Sequence, residues 1–176
     1  MNNISDFEIA LLGFIKDKPM HGYAVHRQIM KLSGAGIVWN IKQSRLYQML
    51  IKLEENYYIQ SSDIPQEKRP TKKLFELTEK GLVIFNNWKM KPIKHGRDFR
   101  IIFLLKLFFV IQEGDNECRQ LLESQKSECK NWANSQKFNK SDFEDRFSIV
   151  VENFRYSQIE HYIDWLNWCD EFIRSK

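Results

Sequence analysis

The sequence predicts a mainly α-helical protein with a small β-hairpin, and three observations support this fold class. Residues 19–26 read Pro-Met-His-Gly-Tyr-Ala-Val-His and form a turn that leads into a helix. Residues 68–81 contain a basic hairpin tip and a return strand that leads into another helix. Beyond residue 97 the apolar pattern is helical throughout. This order predicts a winged helix-turn-helix domain over residues 1–92 and a helical domain over residues 97–176.

Two helices begin the first predicted domain. Ser5 or Asp6 can cap the first helix, and a Lys-Pro pair ends it. Gly22 opens the second helix, and the Ser-Gly-Ala-Gly run at residues 33–36 ends it with residues that tolerate unusual backbone angles. The sequence therefore predicts two short helices separated by a turn.

A third helix is predicted from Gln43 to Glu55, and its two sides differ. One side is apolar, whereas the other can donate hydrogen bonds through Ser44, Arg45, Gln48 and Lys52. Two aromatic-rich runs, residues 57–60 and 74–77, flank a polar stretch and predict antiparallel strands joined by a long tip. Thr78 then caps a fourth helix, which a Lys-Pro pair at residues 91–92 ends.

The second half is predicted to contain a long final helix that needs a second subunit. Residues 101–111 predict a buried helix, because a membrane span needs about 20 apolar residues and this shorter run contains Lys106. The capping-box spacing of residues 141–144 opens the final helix. That helix is apolar around much of its circumference, and only two other helices are available to cover it. We therefore expect a homodimer interface that contains Phe103, Phe147, Val150, Phe154, Tyr162, Leu166, Cys169 and Ile173.

Composition narrows the class of function. The 176 residues carry a formal net charge of +4, and the basic excess lies in residues 1–90. The 3 cysteines show no Cys-x-x-Cys spacing, and no leader peptide precedes them, which predicts a cytoplasmic protein that is not associated with a membrane. The histidines and cysteines form no ligand spacing, and neither a phosphate-binding loop nor an activated nucleophile is recognisable. We therefore expect no metal, no cofactor and no enzymatic activity.

Three of these blocks, in this order, resemble the PadR family of bacterial transcriptional regulators. Residues 19–23 are similar to the family's His-Gly-Tyr opening, residues 46–54 to its recognition-helix pattern, and residues 69–81 to its wing and fourth helix. The resemblance implies a winged helix followed by a long C-terminal helical dimerisation domain. It also implies a homodimer that binds a two-fold symmetric operator in double-stranded DNA, that is a repressor, and that a small effector releases.

The resemblance gives the polar residues of the first domain roles in DNA binding. Arg45, Gln48 and Lys52 are long enough to reach base edges in the major groove. Tyr23, Ser44 and Tyr47 are suited to phosphates, which position a protein without specifying sequence. The wing cations would add affinity that depends on salt. The complete expected DNA-binding set is Tyr23, Lys42, Ser44, Arg45, Tyr47, Gln48, Lys52, Lys68, Arg69, Lys72 and Lys73.

Two alternatives stay open at the level of sequence. A winged helix can also serve as a protein-binding adaptor without DNA, and acidic residues such as Glu54, Glu55, Asp63 and Glu67 near the expected contact surface favour that function. The tryptophans can either line a pocket for a small aromatic effector or pack in the core, which is the commoner use of such residues.

Overall fold

The computed structural model describes residues 4–31, 38–64, 72–135 and 145–175, which form two compact units. The first unit comprises Met1–Met90 and Arg100–Phe109, and the second comprises Lys91–Phe99 and Val110–Lys176. The elements are α1 (Asp6–Ile15), β1 (Met20–His21), α2 (Gly22–Lys31), α3 (Gln43–Glu55), β2 (Ile59–Ile64), β3 (Lys72–Leu77), α4 (Glu79–Met90), α5 (Leu104–Ile111), α6 (Asp115–Ser135) and α7 (Arg146–Arg174). A 3-10 turn (Gly96–Asp98) and a π-helical turn (Phe99–Phe103) precede α5.

The start of α1 confirms one of the two predicted caps. The Ser5 hydroxyl accepts a hydrogen bond from the Glu8 amide at 3.3 Å, and the Glu8 carboxylate accepts one from the Ser5 amide at 2.7 Å. This reciprocal capping box satisfies two N–H groups that a helix start otherwise leaves unpaired. Residues 8–15 of α1 are buried, so this helix forms the centre of the first unit.

The hairpin belongs to a three-stranded antiparallel sheet with the order β1-β3-β2. The third strand, β1, was not predicted, and its Met20 and His21 pair with Phe75 and Leu74 of β3. The other two strands are also longer than predicted, because pairing continues toward the hairpin tip as far as Ile64 opposite Lys72. The predicted helix end at residues 33–36 and the tip itself lie outside the described residues.

Helix α5 contributes to the core of the first unit. The Phe109 ring makes edge-on contacts with Phe14 and Phe85, each with a centroid distance of 5.1 Å. A Cβ at Gly13 would lie only 2.6 Å from the Phe109 and Phe85 rings, so this helix packing requires glycine. Residues 100–109 therefore belong with the winged helix, although the sequence-based boundary placed them in the second domain.

Helices α6 and α7 pack together in the second unit through buried residues that include Leu121, Leu122 and Leu166. The buried Gln125 amide accepts a hydrogen bond from the Ile93 amide at 2.8 Å and donates one to the Ile93 carbonyl at 3.2 Å. The N-cap of α7 is Asp145, which accepts a hydrogen bond from the Ser148 amide, and the predicted capping box at residues 141–144 lies outside the described residues. None of the described helices is long and apolar enough to cross a membrane.

Candidate nucleic-acid interface

Helix α3 presents one buried side and one exposed side, as its sequence predicts. Leu46, Met49, Leu50 and Leu53 are at most 4% exposed and anchor the helix in the first unit. The exposed side carries Lys42, Ser44, Arg45, Tyr47 and Gln48, and we call these five residues the α3 outer face. Burial of the opposite side fixes the orientation of these donors.

The first turn of α3 is open to an anion. Lys42 is its N-cap residue with an extended backbone, and no side chain caps this helix start. Backbone N–H groups at a helix N-terminus attract phosphate oxygens, and the exposed Lys42 and Arg45 side chains add positive charge. Farther along the face, Arg45 Nη1 lies 3.5 Å from Gln48 Oε1, which is a long and weak hydrogen bond.

Tyr47 of this face and Tyr23 of α2 are both exposed, and a glycine packs against the Tyr47 ring. Tyr23 at the start of α2 is 59% exposed, and Tyr47 on α3 is 36% exposed. A Cβ at Gly22 would lie 2.8 Å from the Tyr47 ring, which is closer than real Cβ atoms approach other atoms. The glycine of the His-Gly-Tyr sequence is therefore needed for the packing of α2 against α3. The two tyrosines border a groove of about 450 Å³ that also includes Ile51 and Phe75.

Strand β3 is fixed against β1 and α3 by polar contacts. His21 Nδ1 lies within hydrogen-bond distance, 2.9 Å, of the Lys73 carbonyl oxygen. The Lys73 ammonium group lies 3.3 Å from a carboxylate oxygen of Glu54, and the Ser61 hydroxyl donates to the other oxygen. These contacts position Lys73 beside α3. Of the other expected wing cations, Lys68 and Arg69 lie outside the described residues, and only the backbone of Lys72 is described.

Lys52 lies apart from the α3 outer face in an ion pair, which favours a structural role over the base reading that the sequence predicts. Its ammonium group lies 3.0 Å from both carboxylate oxygens of Glu8, whose side chain is only 6% exposed. Burial acts to raise the pKa of the Glu8 carboxyl, but hydrogen bonds from Ser5 and Lys52 outweigh burial and hold that pKa below its ordinary value. Lys52 therefore compensates a buried charge and ties α3 to the start of α1.

Helix α7 carries two distinct apolar faces. One face packs within the second unit, where Leu166 and Cys169 are buried and the Tyr162 ring stacks on Phe99 at 4.1 Å. Phe103 is also fully buried within the chain. Phe103, Leu166 and Cys169 are therefore covered within the chain, and Tyr162 is of intermediate exposure, which leaves these four residues little free surface for the expected subunit interface.

The second face of α7 is exposed to solvent. Its large apolar side chains are spaced three or four residues apart, and an α-helix brings such positions to one side. The spacing is interrupted only between residues 154 and 168. We call this set the α7 exposed stripe, which comprises Phe147 (75% exposed), Val150 (63%), Phe154 (61%), Trp168 (57%) and Phe172 (46%). Ile173 is of intermediate exposure. Sequence periodicity alone did not separate the packed face from this stripe.

The cysteines are buried thiols. Burial raises the pKa of Cys118, Cys129 and Cys169 to about 11, so these thiols are protonated at neutral pH. A protonated, buried thiol is a weak nucleophile and a weak metal ligand. In the described ranges, no group of three or more His, Cys, Asp and Glu side chains could hold a metal ion.

Comparison with known proteins shows which family the winged-helix part of the chain is similar to. Residues 11–86 match the profile described as the transcriptional regulator PadR-like family. The winged-helix part of this chain is thus similar to that family. No curated protein sequence matches the chain. The crystal structure of Bacillus subtilis PadR in complex with operator DNA is similar over 98% of this chain and 99% of that chain, with 20% identity and a TM-score of 0.50.

Two further crystal structures are similar over nearly the whole length. Bacillus subtilis PadR in complex with p-coumaric acid has 19% identity and a TM-score of 0.43, covering 97% of this chain and 99% of that chain. A PadR-like transcriptional regulator from Bacillus cereus has 15% identity and a TM-score of 0.43, covering 98% of each chain. The similarity to the PadR–operator structure shows a winged-helix fold that continues into a C-terminal helical region.

Proposed function

We propose that this PadR-like regulator is a homodimeric repressor that binds a two-fold symmetric operator through two copies of the α3 outer face. The observation that carries the proposal is this face itself, whose polar side chains are exposed while the opposite side of the helix is buried. A helix that reads the major groove needs such a row of exposed donors.

Each part of the surface has a distinct proposed role. Arg45 and Gln48 read base edges, since both side chains are long, exposed donors. Lys42, Ser44, Tyr23 and Tyr47 bind phosphates and set the register of the protein on the duplex. Lys73, together with the expected wing cations Lys68, Arg69 and Lys72, contributes affinity that falls as salt rises.

Dimerisation through the α7 exposed stripe brings a second α3 outer face to the DNA. Phe147, Val150 and Phe154 are more than half exposed, and a contiguous apolar surface of this kind is typical of an interaction site. In a two-fold dimer each copy covers the same stripe of the other. Such a dimer must hold its recognition helices about 34–36 Å apart, which is one turn of duplex.

Release by a small aromatic effector is the remaining part of the proposal. An effector must bind a dimer whose two winged helices cannot contact DNA together more tightly than a dimer whose winged helices can. Equal affinity for the two states would shift no population. Trp39 and Trp88 are buried in the first unit at 5% and 6% exposure, which is the core use of these residues. The tryptophans of the second unit are therefore the better reporters of a ligand.

Selection of bound sequences from a random DNA library tests the function directly. We expect a palindromic consensus, and affinity for it should fall steeply as salt rises because several phosphates are neutralised. The DNA-binding proposal is wrong if the selection enriches no DNA sequence. It is also wrong if the affinity for DNA does not change with salt concentration. In that case a protein-binding adaptor explains the exposed groove beside Tyr23 and Tyr47 better.

A further inference from the structure

A ligand-sized cleft lies entirely within the second unit. Its volume is about 460 Å³, which is within the range of small-molecule sites. One wall is formed by Arg155, Ile159 and Tyr162, which lie on one side of α7, and Trp132 of α6 forms another. The loop at residues 94–97, with the sequence Lys-His-Gly-Arg, closes one edge.

Tyr162 holds this loop in place. Its hydroxyl donates a hydrogen bond to the Gly96 carbonyl oxygen at 3.1 Å. Its ring stacks on Phe99 with an interplanar angle of 6°, and a Cβ at Gly96 would lie 3.2 Å from that ring. The loop therefore packs closely on the aromatic rings of Tyr162 and Phe99. This packing holds Lys94 and Arg97 at the edge of the cleft.

The charges that line the cleft are positive. Lys94, Arg97 and Arg155 are among its lining residues, which include no carboxylate. Arg155 Nη1 pairs with Glu152 at 3.1 Å, and Arg97 Nε lies 3.9 Å from Asp98, at the outer limit of an ion pair. For Lys94 the structure gives no ion pair within the described ranges. A guanidinium group has five N–H donors, so Arg155 keeps donors for a further oxyanion.

We propose that this cleft binds a small organic oxyanion, with a carboxylate or phosphate group held by Lys94 and Arg155. The indole of Trp132 and the side chains of Ile159 and Tyr162 would contact the apolar body of the ligand. Small-molecule sites typically combine such an apolar wall with a few charged groups that fix orientation. The inference does not rest on DNA binding, because every residue that lines the cleft belongs to the second unit.

Isothermal titration calorimetry of the full chain, at constant ionic strength, measures the affinity of this site for small probes. The probes are benzoate, AMP and inorganic phosphate, and the uncharged controls are benzamide and adenosine. We expect a charged probe to bind and its uncharged counterpart to bind at least tenfold more weakly. Tighter binding of AMP than of benzoate would assign a phosphate ligand, and the reverse order would assign a carboxylate. If no charged probe binds below about 1 mM, the proposal is wrong.

Matched variants locate the binding within the cleft. Arg155→Gln and Lys94→Gln should each weaken binding of the charged probe about tenfold, which corresponds to about 1.4 kcal/mol. Lys130→Gln removes an exposed lysine elsewhere on α6 and should leave affinity unchanged. Circular dichroism and urea unfolding should show that all three variants are folded. The assignment to this cleft is overturned if the charged probe binds Arg155→Gln and Lys94→Gln as tightly as it binds the wild type.

Discussion

Replacing Lys52 by Met tests whether this residue stabilises the fold or reads DNA. The substitution keeps most of the aliphatic side chain but leaves the Glu8 carboxylate, which is 6% exposed, without its cation. The Ser5 amide would continue to donate to Glu8, so the carboxylate keeps one of its hydrogen bonds. Removing one partner of a buried charge pair typically costs 3–5 kcal/mol. Because Lys52 is 36% exposed and water screens the pair, we expect a smaller loss of about 2 kcal/mol.

The loss should appear in urea unfolding at neutral pH. With a denaturant slope of about 2 kcal/mol per molar, the midpoint should fall by about 1 M. A double-mutant cycle with Glu8→Gln isolates the pair, because Gln can still accept from the Ser5 amide in the capping box. The double variant should be more stable than the sum of the two single losses predicts.

The same pair gives a defined dependence of stability on pH. The pKa of Glu8 is lower in the folded chain than its ordinary value of 4.5, so its contribution is complete above 4.5. That contribution is lost as the pH falls through the lower folded-state pKa, because the unfolded state then binds more protons. The stability advantage of the wild type over Glu8→Gln should therefore shrink in acid.

DNA binding by the folded Lys52→Met variant completes the test. Fluorescence anisotropy at a temperature where the variant is fully folded should show affinity within about threefold of the wild type on the selected operator, since at most about one phosphate contact is affected. The exposed Lys130→Met variant serves as the control for loss of one charge. The reasoning is refuted if Lys52→Met unfolds like the wild type but loses preference at one operator base.

The remaining predictions concern the α3 outer face, its packing and the dimer. Gln48→Ala should cost about 1–3 kcal/mol on the selected operator and little on random DNA, whereas Lys73→Ala should weaken both alike and reduce the salt slope by about one. Gly22→Ala should displace Tyr47, since its methyl group would meet the ring at 2.8 Å, and anisotropy should show about tenfold weaker binding to every sequence. Phe154→Glu should give folded monomers in sedimentation, because this side chain is 61% exposed; dimers at micromolar concentration would exclude the α7 exposed stripe as the interface.

Local sequence signals predicted much of the fold. The bounds of α3 agree with the prediction from Gln43 to Glu55, because its apolar spacing and its neighbours are local properties. Thr78 caps α4 as predicted, since its hydroxyl accepts from the Gly81 amide at 3.1 Å. The two-residue strand β1 was missed because its pairing with β3 depends on residues more than 50 positions away. A strand this short has no periodicity of its own.

The site was predicted less completely because exposure depends on tertiary neighbours. Lys52 and Gln48 occupy the same predicted polar side, yet Glu8 from α1 takes Lys52 into an ion pair. On α7, Phe154 and Leu166 belong to one sequence pattern, but Leu166 is buried and Phe154 is 61% exposed. Sequence periodicity gives the faces of a helix, whereas the partner of each face is set by elements distant in sequence.

Glu54 shows how the same tertiary contacts bear on the choice between DNA and protein as the partner. An unpaired carboxylate on α3 would repel phosphates and favour a protein adaptor, as its position in the sequence suggested. The structure instead gives Glu54 two partners, the Lys73 ammonium group at 3.3 Å and the Ser61 hydroxyl, so its charge is compensated where it lies. The contacts also join both strands of the hairpin to α3, since Ser61 lies on β2 and Lys73 on β3. Glu54 therefore fixes the hairpin strands relative to the α3 outer face, which is the geometry that simultaneous contact with a groove and its phosphates requires.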